Sequence, residues 1–67
     1  MLEKKSVVDY IGVTLDGFLE IRRANIVLED GEEIARNFHR HVLKPGDSLD
    51  KEDDRVALIA RTVWRTL

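Results

Sequence analysis

Apolar and polar residues alternate loosely along three consecutive runs, and a longer period takes over towards the C-terminus. Residues 6 to 14 carry Val7, Val8, Tyr10, Ile11 and Val13, and residues 18 to 29 and 32 to 43 continue in the same style. β-branched and aromatic side chains suit a pleated, half-buried surface. Asp16-Gly17 and Asp30-Gly31 separate the runs. Asp-Gly between strand-like segments is a strong hairpin signal, because a type I′ turn needs φ > 0 at both central positions. In the third run Ile34, Phe38 and Val42 would also make an i, i+4, i+8 helical stripe. The turn in front of that run sets up a return strand, and we read it as one.

Lys44-Pro45-Gly46-Asp47 ends the sheet and opens a loop over 44 to 50, since proline donates nothing to a ladder and glycine relaxes the backbone. Asp50 is the expected N-cap of a helix. Glu52, Asp53 and Asp54 then fall in its first turn, where negative charge meets the positive end of the helix dipole. Val56, Ile59, Val63 and Leu67 recur at helical spacing, with Ala60 and Trp64 widening the stripe. The predicted fold is α+β in one domain. A three-stranded antiparallel β-meander (6–14, 18–29, 32–43) precedes one C-terminal amphipathic helix (51–66), packed on one sheet face.

Two-residue turns fix a register. With Asp30-Gly31 as such a turn, Val27 faces Ile34, Arg23 faces Phe38, Ile21 faces Arg40 and Leu19 faces Val42. Tyr10 and Val8 join that face if Asp16-Gly17 turns the same way. The opposite face then carries Phe18, Ala24, Ile26 and Leu28 with Val7, Ile11, Val13, Ala35 and Leu43. Both faces are substantially apolar, whereas a sheet with one wet face alternates more cleanly. One helix covers only one of them.

Size sharpens that point. A chain of 67 residues buries only ~60% of the surface it exposes when unfolded, and small domains usually add disulfides, a metal or a partner chain. Cysteine is absent, which leaves association with other chains, so a homo-oligomer is expected. Acidic and basic residues nearly cancel at a net charge of −2, so no global positive field draws nucleic acid or an anionic membrane. No apolar run approaches the ~20 residues of a membrane span, and Met1-Leu2-Glu3-Lys4-Lys5 lacks a signal-peptide core.

Candidate chemistry is sparse. His39 and His41 lie on one side of a strand, with Glu20 and Arg22 expected across from them. Two histidines and a carboxylate bind zinc, but Arg22 would oppose a cation, and paired or solvated histidines are the preferred reading. Arg22, Arg23, Arg36 and Arg40 make the middle of the sheet locally basic. Bases stack on the rings of basic, aromatic sheets, yet the aromatics here are few, and glutamates dilute the field. Arginine stems over apolar surface explain the pattern better. The acidic run Asp47 to Asp54 lacks the ordered ligands of a calcium loop. No hydroxyl has a neighbouring histidine–acid pair, and no glycine-rich phosphate loop is present. The chain reads as non-enzymatic, with no cofactor and no metal. The candidate interaction surface is Arg22, Arg36, His39, Arg40 and His41.

The hairpin Val27-Leu28-Glu29-Asp30-Gly31, the segment His39-Arg40-His41-Val42-Leu43-Lys44-Pro45-Gly46-Asp47 and the helix Val56-Ala57-Leu58-Ile59-Ala60-Arg61-Thr62-Val63-Trp64 together resemble a group of small proteins. These are encoded among the tail and virion genes of tailed bacteriophages and prophages. The resemblance spans roughly residues 18 to 65 and consists of turns and core positions. It implies a virion- or tail-associated component, located in the host cytoplasm during assembly or in the particle, whose partners are itself and other phage structural proteins. The competing class is a small phage regulatory or nucleic-acid-binding protein that acts on a host factor.

Overall fold

The computed structural model describes residues 1 to 67. Three antiparallel strands, β1 (Leu2–Val13), β2 (Leu19–Glu29) and β3 (Glu32–Leu43), form one sheet in the order β1-β2-β3, and helix α1 (Asp54–Arg65) follows. This is the expected α+β meander. The third strand has its predicted limits, while the first begins four residues earlier than residue 6. No helix is long and apolar enough to cross a membrane.

Glu29 pairs with Glu32 around Asp30-Gly31, and both turn residues have positive φ, 52° and 85°. That is the type I′ signature. The register does not persist. Between Val27 and Leu28 the pairing shifts by one residue, which leaves Ile34 as an extra residue on β3, a β-bulge. The predicted pairs Val27–Ile34, Arg23–Phe38, Ile21–Arg40 and Leu19–Val42 therefore do not form. Val27 meets Ala35, Arg23 meets His39, Ile21 meets His41, and Leu19 meets Leu43. A one-residue slip transfers every later side chain to the other face.

Asp16-Gly17 is likewise not a two-residue turn. Val13 pairs with Leu19, and Thr14 to Phe18 form a five-residue loop. The Thr14 N–H donates to the Phe18 carbonyl at 2.9 Å, and the Phe18 N–H donates to Thr14 Oγ1 at 3.0 Å. A second bulge at Asp9 shifts β1 against β2 between Val8 and Tyr10. Both bulges sit on edge strands, where they increase twist and discourage uncontrolled strand pairing.

α1 packs on the face that carries Leu19, Ile21 and Leu43, and these form the core with Val56 and Ala60. Val8, Ile11, Leu49, Ile59 and Trp64 pack around them. The N-cap is Asp53, not Asp50. Its carboxylate accepts from the Arg55 N–H at 2.9 Å, and Glu52 lies in the turn before the helix. Leu67 falls outside the buried stripe, at 66% exposure.

Twelve-residue strands are about 40 Å long at ~3.4 Å per residue. A twelve-residue helix is about 18 Å long. The helix thus covers only the Leu19–Leu43 end of one face. Nine of 67 residues are buried, and every residue from Gly31 to Arg40 is exposed.

Candidate protein-interaction surface

Alternation along the observed register sorts the side chains into two faces. The helix face carries Leu19, Ile21, Arg23, Asn25 and Val27 with their partners Leu43, His41, His39, Asn37 and Ala35. The open face carries Glu20, Arg22, Ala24 and Ile26 with Val42, Arg40, Phe38 and Arg36. From β1 it receives Lys5, Val7, Tyr10 and Gly12.

The five candidate residues are therefore divided. Arg22, Arg36 and Arg40 stand on the open face, and His39 and His41 on the helix face. Glu20 and Arg22, expected across from the histidines, lie on the opposite side of the sheet, so the imagined two-histidine–carboxylate site does not assemble. His39 and His41 have ring centroids 6.0 Å apart, and His41 Nε2–H donates to Glu52 Oε1 at 2.9 Å. Glu52 lies in the loop that leads into α1, so this contact ties the helix entry to β3. No three His, Asp or Glu side chains converge.

On the open face Arg22 is held by three neighbours. Its Nε and Nη2 donate to Asp9 Oδ1 and Oδ2 at 2.9 and 3.0 Å, a bidentate fork. Its guanidinium lies 4.7 Å from the Phe38 ring centroid and 5.9 Å from that of Tyr10, within cation–π range. The bulge brings Asp9 to this fork, because the extra residue offsets β1 just where Tyr10 comes level with Arg22. The hydrogen bond from Arg22 holds the Asp9 carboxyl below its ordinary value. Arg36 makes the same kind of fork with Glu33, at 2.9 and 2.7 Å. That bond lowers the Glu33 carboxyl and raises the Arg36 guanidinium. Arg40 makes no ion pair of this kind.

Tyr10 folds back over Gly12. A Cβ there would lie 2.9 Å from the tyrosine hydroxyl, so the glycine lets an aromatic ring cover the edge strand, an arrangement that shields edge glycines. Phe38, Tyr10 and Val42 remain 45%, 53% and 53% exposed. Beside them an open depression of about 210 Å³ is lined by Tyr10, Glu20, Arg22, Arg40 and Val42.

Sequence reasoning missed a second feature. On the helix face, beyond the end that α1 covers, Ser6 Oγ donates to Asn25 Oδ1 at 3.0 Å and Asn25 Nδ2 donates to Asn37 Oδ1 at 3.1 Å. Arg23 Nη1 adds a bond to Ser6 at 3.2 Å. This ladder crosses all three strands and marks the boundary between the packed and the solvated halves. Asparagine is depleted in strands, so Asn25 and Asn37 in mid-strand were the available signal.

Compared with protein-family models, curated proteins and solved structures, the chain finds no match in any of the three.

Proposed function

We propose that this chain works by protein–protein contact, as an assembly module without catalysis. The observation that supports this best is the mismatch between sheet and helix. A sheet about 40 Å long carries one helix on half of one face, and β3 is exposed along almost its whole length. Exposed aromatic and aliphatic side chains among neutralised arginines make a surface of the kind that protein interfaces use, where Tyr, Phe and Arg are enriched. On the resemblance of residues 18 to 65, the assembly is the virion or tail of a phage. The partners are then further copies or other structural proteins, met in the host cytoplasm or the particle.

Arg22, Arg36 and Arg40 beside Tyr10 and Phe38 favour nucleic acid as the second reading. Two of the three guanidiniums are already occupied by Asp9 and Glu33, which leaves little free positive charge for phosphates. The test is co-sedimentation of the chain with assembled particles at fixed stoichiometry, lost in Phe38→Glu. Salt-dependent binding to a fluorescent oligonucleotide, with slope proportional to phosphate contacts, would replace this reading with the second.

A further inference from the structure

We propose that the open sheet face is the interface of a two-fold homodimer, in which Phe38 of each copy enters the depression beside Phe38 on the other. This rests on the protein-contact reading above and names its partner and its geometry.

Two observations select a second copy of this chain. The first is shape. The depression lined by Tyr10, Glu20, Arg22, Arg40 and Val42 holds about 210 Å³, and a cavity of about 150 Å³ already accepts a benzene ring. That volume is on the scale of an aromatic ring, and the chain offers one next to it, the Phe38 ring packed against the Arg22 that lines the depression. A knob and a hole side by side on one face are what an isologous contact requires, because residue i of one copy meets residue j of the other and the reverse.

The second is charge. The face carries both signs in balance, Glu3, Asp9, Glu20 and Glu33 against Lys5, Arg22, Arg36 and Arg40. A surface of one sign would call for a partner of the other; a balanced one is complementary to itself. Arg22 and Arg36 are fixed by their own carboxylates. The remaining guanidinium on the rim, Arg40, is free to lie over the entering Phe38 ring, a cation–π contact that strengthens on desolvation.

Sedimentation equilibrium over micromolar to near-millimolar concentrations tests the proposal on the wild type, Phe38→Glu, Val42→Glu and Leu58→Glu. Phe38, Val42 and Leu58 are all exposed in the monomer, so none of the substitutions removes core, and circular dichroism checks each fold. The wild type should dimerise. Phe38→Glu and Val42→Glu should weaken the dimer by about 30-fold or more, the scale of a hot-spot aromatic, and Leu58→Glu should leave it unchanged. Because the chain has no cysteine, single cysteines report the face directly. Val42→Cys should cross-link between copies with a short bis-maleimide, and Leu58→Cys and Asn37→Cys should not. A monomer at all concentrations overturns the homodimer while leaving a foreign protein partner open to the co-sedimentation test. A dimer that survives Phe38→Glu, or that cross-links through Asn37→Cys or Leu58→Cys, overturns this face and assigns assembly to the β3 edge or the helix.

Discussion

The indole Nε1–H of Trp64 donates to the Gly17 carbonyl at 2.7 Å, across 47 residues of sequence. It fastens the last turn of α1 to the loop between β1 and β2, beside the core formed by Leu19, Val56 and Ala60. Helical spacing put Trp64 on the apolar stripe, and its ring packs against the core as an anchor. The bond adds a polar end to that anchor, as buried tryptophans usually require.

Trp64→Phe keeps most of the packing and strands the Gly17 carbonyl. It should cost about 1–3 kcal/mol, the penalty of an unsatisfied, partly buried acceptor. Leu58→Ala, at a position 64% exposed on the outside of the same helix, should cost far less. Urea unfolding of the two variants checks the contrast, and equal losses would mean that the indole contributes only its bulk.

Gly31 has φ +85°, and a Cβ added there would meet nothing within 4 Å, so a side chain encounters backbone strain and no clash. Gly31→Ala should destabilise by about 1 kcal/mol and Gly31→Val by more, since a β-branched residue is an outlier at positive φ. Thermal melts resolve this in a domain so small. An unchanged midpoint in both variants would mean that the type I′ turn is not a determinant of stability.

The cap offers a sharper discrimination. Asp53→Ala should cost about 0.5–2 kcal/mol, whereas Asp50→Ala should be near neutral, because only Asp53 accepts from a first-turn N–H. The reverse order, read by chemical denaturation, would return the helix start to the position expected from sequence.

These contrasts mark how far the residues alone were legible. Turn chemistry at Asp30-Gly31, β-branched runs and the Val56–Val63 period carried the meander and its helix, because each is a local signal repeated over many residues. The two bulges were not legible. Nothing at Asp9 or Ile34 announces an extra residue, yet each displaces all the pairing beyond it, and the bulge at Ile34 moved Phe38, Arg40 and Val42 onto the open face. Asp16-Gly17 misled because the same dipeptide serves a five-residue loop, where only Gly17 takes positive φ and Thr14 supplies the closing bonds. The acidic run offered several caps, and only the geometry of the chain entering the helix separates Asp53 from Asp50. The open apolar–arginine surface was foreseen in kind; its membership was set by the bulge.

Acid sensitivity follows from the two arginine–carboxylate forks. Arg22 holds the Asp9 carboxyl below its ordinary 3.8, and Arg36 holds that of Glu33 below 4.5. Both groups regain ordinary values when the chain unfolds, so the unfolded state binds protons first as pH falls. Their stabilisation is complete above the unfolded values and is lost as pH drops through the folded ones, so melting temperature should be level down to about pH 5 and decline below about pH 4. In Asp9→Asn the decline should be shallower, because one of the two linked carboxylates is gone, and the melting temperature at pH 7 should already be lower. Both forks are partly exposed, with side-chain accessibilities between 21% and 41%, so high salt should shrink the difference between wild type and variant. Melts at several pH values in low and high salt read all three effects, and parallel acid slopes for the two proteins would show that the Asp9–Arg22 fork adds nothing to the stability of the fold.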